Sequence, residues 1–353
     1  MRRWLKATAA SFCALSLTAG AQGTGESEEK GTFKVSVPQK WEISLPATAP
    51  VYLAAAPGGG KMIPVPHAGG PGFIAEPDTF SLGIDTNGDG KVDDKIKGLG
   101  GIATLKGKTP EGKSFTYAVR VVKDAQGWAI QPGSFATGRV GGVEVRLIDL
   151  NVDGRFDQVG VDAMVVGKGD SASFLSKVVS AGGKLWNFTA AADGSSGTAT
   201  PFTGEAGTLS LLKGWKSESA ELASAVVSSA DDQYSFDLSE AKAGLAVPAG
   251  EYKLVYGFAK KGSESVKIRS GAGMKPYVVK TGETTLASWG GPVQMDFEFS
   301  ITKDTITVPP TLTYLGRGGE EYFDFKPDAK SPLIVVTDAE TGSVVREGRF
   351  GGC

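Results

Sequence analysis

The strongest constraint on this chain is a period of two in its apolar residues. Between Val293 and Ile301, every second residue is apolar and every intervening residue is polar. Because successive side chains of a β-strand point to opposite faces, this pattern predicts a strand with one buried face. The same alternation recurs over residues 33–37, 41–45, 80–84, 115–121, 186–188 and 252–258. Turn-forming pairs such as Asp-Gly and Lys-Gly punctuate these runs, so the sequence predicts an all-β protein.

The length and the strand spacing predict two β domains. A chain of 353 residues corresponds to about two domains. We place the boundary after residue 212, which gives a larger N-terminal β domain over residues 32–212. Residues 213–353 hold about eight short strands, a number that suits an immunoglobulin-like β-sandwich.

The N-terminal segment has the features of an export signal. Arg2, Arg3 and Lys6 precede an apolar stretch, and residues 19–21 supply the small side chains that a signal peptidase requires. We predict that residues 1–21 are a signal peptide and that the protein is exported to the periplasm, the cell surface or the extracellular space. Residues 22–31 are predicted to be a disordered acidic lead-in. No apolar stretch reaches the about 20 residues that a membrane-spanning helix needs.

Charge, cysteine and histidine content exclude further classes of protein. Without its leader the chain has 37 − 3 = 34 Lys and Arg against 39 Asp and Glu, a net charge of −5. A chain without a basic excess is not expected to bind nucleic acid. Loss of Cys13 leaves Cys353 alone, so an intramolecular disulfide is excluded, while a disulfide dimer through Cys353 is an alternative. The single histidine, His67, excludes sites built from several histidines.

Two loops, which begin 64 residues apart, share one acidic pattern. Each contains Asp-x-Asn-x-Asp-Gly, then a cation, an apolar residue and Asp. The first loop has Asp85, Asn87, Asp89, Gly90, Lys91, Val92 and Asp93, and the second has Asp149, Asn151, Asp153, Gly154, Arg155, Phe156 and Asp157. The pattern resembles the calcium loops of EF-hands, dockerins and thrombospondin type 3 repeats. The pairing of the loops also resembles segments in large secreted bacterial proteins rich in β structure.

The resemblance implies a role for each loop position. Calcium takes six to eight oxygen ligands, and side chains at positions one, three and five converge on it while position six turns sharply. Position seven, Lys91 or Arg155, contributes its backbone carbonyl. The bidentate Glu that EF-hands have at position twelve is replaced by Ile96 and Gly160. The missing carboxylate is therefore expected from Asp93 or Asp94 in the first loop, and from Asp157 or Asp162 in the second.

The residues around both loops are strand-like, so these are predicted to be calcium-binding loops on β-hairpins. The predicted fold class is all-β, with a larger N-terminal β domain that carries two calcium-binding hairpin loops and a C-terminal immunoglobulin-like β-sandwich. A simpler interpretation is that Asn87-Gly88, Asp89-Gly90 and Asp153-Gly154 only form hairpin turns. Agreement of the two loops at six positions, with crowded carboxylates in each, favours Ca²⁺.

Three functions follow from these features, in order of preference. The first is an exported, non-enzymatic calcium-binding protein in which calcium orders the hairpin loops of a structural or surface module. The second is a calcium-dependent protein for adhesion or carbohydrate binding, with exposed aromatic side chains beside the loops and a cell-surface glycan or protein as partner. The third is a secreted hydrolase that uses a carboxylate pair, with Asp231-Asp232 and Glu320-Glu321 as the acidic candidates.

Overall fold

A computed structural model describes residues 27–46, 48–65, 72–109, 112–303, 305–309, 311–328 and 331–349. The predicted signal peptide, His67 and Cys353 lie outside the described residues. The described chain is built of β-strands joined by turns, and this confirms the all-β class. No helix among the described residues is long and apolar enough to cross a membrane.

The strands of the first 201 residues are short, and most of them belong to hairpins. In chain order they are β1 Glu29–Thr32, β2 Lys34–Ser36, β3 Val51–Tyr52, β4 Ala54–Ala55, β5 Lys61–Ile63, β6 Phe73–Pro77, β7 Ser81–Ile84, β8 Asp94–Lys97, β9 Gly100–Lys108, β10 Ser114–Lys123, β11 Trp128–Pro132, β12 Phe135–Val140, β13 Val143–Ile148, β14 Ala163–Val166, β15 Ser173–Phe174, β16 Val178–Ala181, β17 Lys184–Ala190 and β18 Ser196–Pro201.

The later strands include the longest one of the described chain. They are β19 Ala206–Ser210, β20 Trp215–Lys216, β21 Glu221–Ser229, β22 Ser235–Asp237, β23 Leu245–Pro248, β24 Gly250–Lys261, β25 Glu264–Ser270, β26 Tyr277–Val279, β27 Thr284–Leu286, β28 Trp289–Gly290, β29 Gln294–Asp296, β30 Ser300–Thr302, β31 Thr305–Thr307, β32 Thr313–Leu315, β33 Glu320–Lys326, β34 Leu333–Thr337 and β35 Val344–Arg349. A short 3-10 turn at Leu212–Gly214 precedes β20.

The early strands form four sheets. Their orders are β1-β18-β17-β16, β3-β11-β10-β9, β15-β14-β13-β12-β2 and β4-β5-β6-β7-β8. The later strands form one large sheet, ordered β22-β21-β24-β25-β33-β32-β29, with β26 on β24. Smaller sheets are β23-β19-β27, β20-β28, β30-β31 and β34-β35. Most consecutive strands pair as antiparallel neighbours. Short turns between strands favour this arrangement.

The buried apolar residues form two main cores. The N-terminal core runs from Phe33 to Ala199 and includes side chains from β9, β10, β13 and β17. The C-terminal core combines Val178 with residues from Leu209 to Tyr322. A smaller cluster around Ile148 and Ala163 lies beneath the second acidic loop. Strand β19 pairs with β23 and β27, which lie beyond residue 212. The boundary at residue 212 and the immunoglobulin-like topology stay predictions.

Two expectations about individual segments are wrong. Residues 293–301 do not form one strand with a buried face; they divide between β29 and β30, and their apolar side chains are exposed, Phe299 by 60%. Strand β29 lies at the end of the large sheet, and all three of its residues are exposed, so no second layer of the described chain covers it. Residues 29–31, which belong to the lead-in that we expected to be disordered, form β1 together with Thr32, because the edge of β18 offers them backbone partners.

Candidate metal centre

The first acidic loop connects two paired strands. Strands β7 and β8 are antiparallel, with Ile84 opposite Asp94, and the loop from Asp85 to Asp93 joins them. Asp85 is only 2% exposed, whereas Asn87 and Asp89 are exposed. The structure therefore places this loop on a β-hairpin, with its first carboxylate held against the protein and the others at the surface.

The second acidic loop also connects two paired strands. Strands β13 and β14 are antiparallel, with Ile148 opposite Ala163, and the loop lies between these residues. Both Asp149 and Asp162 are buried, and Asp153 is half-buried. The second loop thus lies deeper in the protein than the first.

The two loops share a ladder of hydrogen bonds from backbone amides to side-chain oxygens. The carboxylate at position one accepts from the amide of the position-six glycine, at 2.8 Å for Gly90 to Asp85, and Gly154 donates to Asp149 in the same way. The position-three amide oxygen accepts from position five, at 2.9 Å in the first loop and 3.3 Å in the second. The position-five carboxylate accepts from the position-seven amide, at 2.9 Å in both. The side chains at positions one, three and five therefore accept hydrogen bonds from the same loop positions in both loops.

The backbones of the two loops turn in the same way. At position four, Gly88 has φ of 75° and Val152 has φ of 60°. At position six, Gly90 and Gly154 have φ of 88° and 89°. Left-handed φ values are ordinary for glycine and unfavourable for a β-branched residue such as Val152. The loops therefore agree in backbone conformation as well as in sequence, even where one of them must use a strained residue.

The later residues of the first loop differ in what they contact. Asp93 accepts hydrogen bonds from the amide and the hydroxyl of Thr86 and from the side-chain amide of Asn87, at 2.9, 2.7 and 2.8 Å. The bonds from Thr86 lower the pKa of Asp93. Asp94 is exposed and accepts from the amide of Lys95. Of the two carboxylates expected to complete this loop, Asp93 is the one that the structure brings to it.

In the second loop, Asp157 and Asp162 have different contacts. Asp157 pairs with the Arg155 guanidinium, at 2.8 and 3.1 Å, so it is engaged at the surface. Asp162 accepts hydrogen bonds from the amides of Leu150 and Gln158, at 3.3 and 2.9 Å, and so closes the loop from its far end. Asp162 is thus the carboxylate that returns to this loop.

The sequence did not single out Gln158, which also belongs to the second loop. Its side chain donates to Asp153 and accepts from the side-chain amide of Asn151, both at 2.8 Å. Gln158 occupies position ten, where the first loop has Asp94. A side-chain amide there offers a further oxygen to a cation, and comparison of the two loops at position ten was the only sequence signal for it.

Tyr117 is the second residue that sequence reasoning missed. Its hydroxyl, buried on β10, donates to Asp149 at 2.7 Å. The alternation of β10 marked Tyr117 as a core residue, and only the folded chain brings its hydroxyl to the loop. Burial raises the pKa of Asp149 to about 7, although the bonds from Tyr117 and Gly154 oppose the shift. Burial and then the charge of Asp149 raise the pKa of Asp162 to about 8.

The β9–β10 hairpin contacts both loops. The amide of Lys106 on β9 donates to the carbonyl of Thr86 in the first loop, at 2.7 Å. Lys106 is opposite Thr116 on β10, next to Tyr117, which contacts the second loop. The cross-strand pair of Lys106 and Thr116 therefore contacts the first loop through Lys106. The adjacent residue, Tyr117, contacts the second loop.

The carboxylates of the two loops do not converge on a single metal-binding position in the described structure. Within the described residues, no group of three or more Asp, Glu, His or Cys side chains lies close enough to hold a metal ion. The carboxylate oxygens instead accept hydrogen bonds from backbone and side-chain donors. One oxygen each of Asp85, Asp93, Asp149 and Asp153 accepts two such bonds. Calcium coordination would require the side chains at positions three and five to rotate inward while the amide bonds to position one remain.

Carbohydrate binding would depend on exposed aromatic side chains, and hydrolysis would depend on a carboxylate pair in a cleft. All five tryptophans among the described residues are buried or half-buried, whereas Phe80, five residues before Asp85, is 71% exposed. Glu320 is fully buried and accepts hydrogen bonds from the amides of Gly290 and Gly318. Glu321 pairs with Arg269 at 2.7 Å. Neither carboxylate of this pair faces a cleft as a free acid or base.

No protein-family model, curated protein or solved structure matches the chain.

Proposed function

We propose that the protein is an exported, non-enzymatic calcium-binding protein in which Ca²⁺ orders two β-hairpin loops of a structural or surface module. The observation that carries this proposal is the shared loop geometry. Positions one, three, five and six agree in residue type and hydrogen-bond pattern in two loops on different sheets, and positions four and six are left-handed in both. A simple hairpin turn does not require this agreement, whereas one common ligand explains it.

The buried carboxylates support the same proposal. Asp149 and Asp162 lie in the interior beside each other's charge, and neither forms an ion pair with Lys or Arg among the described residues. Buried charges are costly unless they are paired or coordinate a metal. A divalent cation bound at the second loop would compensate for both.

The expected affinity fits a structural role. Extracellular calcium modules bind at about 10⁻⁴ to 10⁻³ M. At millimolar calcium, such a site stabilises the folded state by about 0.4 to 1.4 kcal/mol. Two sites of this strength would raise the melting temperature by a few degrees, enough to order loops in a calcium-rich exterior.

The test is calorimetric titration with CaCl₂, together with thermal unfolding in calcium and in EDTA. We expect heat of binding at two sites and a rise in melting temperature with calcium. The double variant Asp85→Asn, Asp149→Asn should lose both, because it removes the negative charge of each side chain. Asn keeps one of the two oxygens that accept the turn amides. Absence of binding heat at millimolar calcium would contradict the proposal.

A matched control separates calcium ligands from ordinary turn aspartates. Asp124 and Asp338 accept two backbone amides each in turns that lack the loop pattern. The double variant Asp124→Asn, Asp338→Asn should therefore keep the full calcium response. An equal loss in this control would mean that the loops are turns and nothing more.

A further inference from the structure

Two cavities lie at one end of the large C-terminal sheet, among residues of β24, β25 and β33. A cavity of about 620 Å³ opens there between β20, β25 and the residues before β29. A second cavity, of about 460 Å³, continues toward the end of β33. Ala220, Ala259 and Val266 line both cavities, so the two meet in one depression. We refer to this depression as the C-terminal groove.

The floor of the C-terminal groove is apolar and packs on the C-terminal core. Ala259 and Val266 are cross-strand partners on β24 and β25, and Tyr322 of β33 is buried beside them. Trp215 forms one wall and packs against the buried Trp289, with ring centroids 6.1 Å apart. These side chains belong to the C-terminal core or pack against it. A preformed pocket of this size accommodates a small organic molecule.

The rim of the C-terminal groove is basic although the chain as a whole is not. Five cationic side chains line it: Lys216, Lys260, Lys261, Arg317 and Lys326. The acids on the rim are Glu218, Glu264 and Asp328, so the cations are in excess by 5 − 3 = 2, against a net charge of −2 for the whole chain.

The rim cations are free to meet a ligand. Within the described residues none of the five has an Asp or Glu oxygen within 4.0 Å, although Lys261 lies opposite Glu264 in the β24–β25 hairpin. Arg317 donates to the backbone carbonyls of Trp289 and Gly214, which fixes the position of its guanidinium without neutralising the charge.

We propose that the C-terminal groove binds an amphipathic organic anion, a hydrocarbon chain or ring that carries a carboxylate, sulfonate or phosphate. The apolar part lies on Trp215, Val266 and Tyr322, where it removes apolar surface from water. The anionic group lies at the rim, where Lys216 and Lys326 attract it. This site is separate from the acidic loops and does not need calcium.

The test uses defined probes in EDTA, which keeps calcium out of the measurement. The probes are 8-anilinonaphthalene-1-sulfonate, followed by its fluorescence, and decanoate as a competitor, followed by displacement of that fluorescence. Decyl maltoside and decyltrimethylammonium have the same chain length with a neutral and a cationic head. We expect saturable binding of one sulfonate probe per protein, displaced by decanoate far better than by the other two.

Variants locate the binding at the C-terminal groove. Lys216→Glu with Lys326→Glu should weaken decanoate binding by roughly tenfold or more, because two attractive charges become repulsive. Lys275→Glu makes the same kind of change at an exposed lysine outside the groove and should have no effect. Ala220→Trp, which fills the space that both cavities share, should abolish binding, with far-UV circular dichroism showing that the variant is folded.

Three results would overturn the proposal. One is equal displacement by the neutral and the anionic amphiphile, which would remove the role of the basic rim. Another is an unchanged affinity in the Lys216→Glu, Lys326→Glu variant, which does not depend on the fate of Ala220→Trp. The third is fluorescence that rises without saturation in every variant, as expected for non-specific binding to exposed apolar surface.

Discussion

At the scale of single residues, the same position in the two loops has two different environments. Asp85 and Asp149 both accept the amide of a position-six glycine, but Asp149 also accepts the hydroxyl of Tyr117. That extra bond comes from a strand of another sheet. Tyr117 therefore holds a buried carboxylate that the loop alone would leave with fewer donors.

Replacing Tyr117 tests how much that bond contributes. In EDTA, Tyr117→Phe should lower the free energy of unfolding by about 1.5 to 3 kcal/mol, since the bond has a charged or partly charged acceptor in the interior. Urea unfolding measures this. Tyr52→Phe is the matched control, because the Tyr52 hydroxyl donates to the exposed Asp124 at 2.9 Å, and its loss should change stability little. Equal effects of the two variants would show that burial of Asp149 adds nothing.

The sequence predicts the residues of each loop better than their partners. Asp85, Asn87 and Asp89, with their counterparts in the second loop, follow from a local pattern, because side chains two residues apart in a tight loop are near each other in any fold. Tyr117 lies 32 residues from Asp149. No local pattern reports that a tyrosine in an alternating strand will point its hydroxyl at a loop.

At the scale of elements, the two loops have the same backbone conformation at positions four and six, and each loop connects the strands of a β-hairpin. Position four is left-handed in both loops, although one has Gly88 and the other Val152. Val152 is only 2% exposed and packs in the N-terminal core. Burial of a valine side chain contributes about 1.5 to 3 kcal/mol, which offsets a backbone strain of about 1 to 3 kcal/mol. Gly88 is exposed and would gain no such burial.

The two loops consequently differ in which residues they tolerate at position four. Gly88→Val should destabilise the calcium-free protein by about 1 to 2 kcal/mol, because it adds strain without burial. Gly88→Asn should cost less, because asparagine adopts left-handed conformations more readily. The nearest atom to an added Cβ is 3.8 Å away on Phe73, so the Cβ itself does not clash in either variant. Urea unfolding of both variants is the measurement, and equal stability would show that φ at Gly88 is not a constraint.

Most of the strands were predictable from alternation. Residues 41–45 also alternate, yet only an isolated bridge at Ser44 forms there. The runs of β10, β17 and β24 bury one face as expected. Residues 293–301 alternate more regularly than any of these, yet their apolar side chains are exposed. Alternation states which residues share a face, and only the arrangement of neighbouring elements decides whether that face is buried.

At the scale of the whole molecule, the raised pKa values of Asp149 and Asp162 predict how stability depends on pH. A carboxyl with a raised pKa binds its proton more tightly in the folded state than in the unfolded state. These two groups therefore favour folding below their unfolded pKa of about 4, and that stability is lost as pH rises through about 7 and 8.

The calcium-free protein should therefore be less stable at pH 8 than at pH 6. The slope is at most about 1.4 kcal/mol per pH unit for each proton released. Thermal unfolding in EDTA across this range measures it, and Asp149→Asn with Asp162→Asn should flatten the profile. His67→Gln, which removes the one histidine, is the control. A flat profile in the unmodified protein would mean that these carboxyls are ionised throughout.

The difference in depth between the loops also sets how fast each of them can exchange a ligand. Asp85 begins a loop whose residues 87–93 are all exposed, so an ion bound there would meet water directly and should leave as soon as its own bonds break. Asp149 and Asp162 are 1% and 0% exposed, so release from the second loop must wait for a local opening of the β13–β14 hairpin. When the calcium concentration changes, the occupancy of the first loop would therefore follow it quickly. The occupancy of the second loop would follow it slowly.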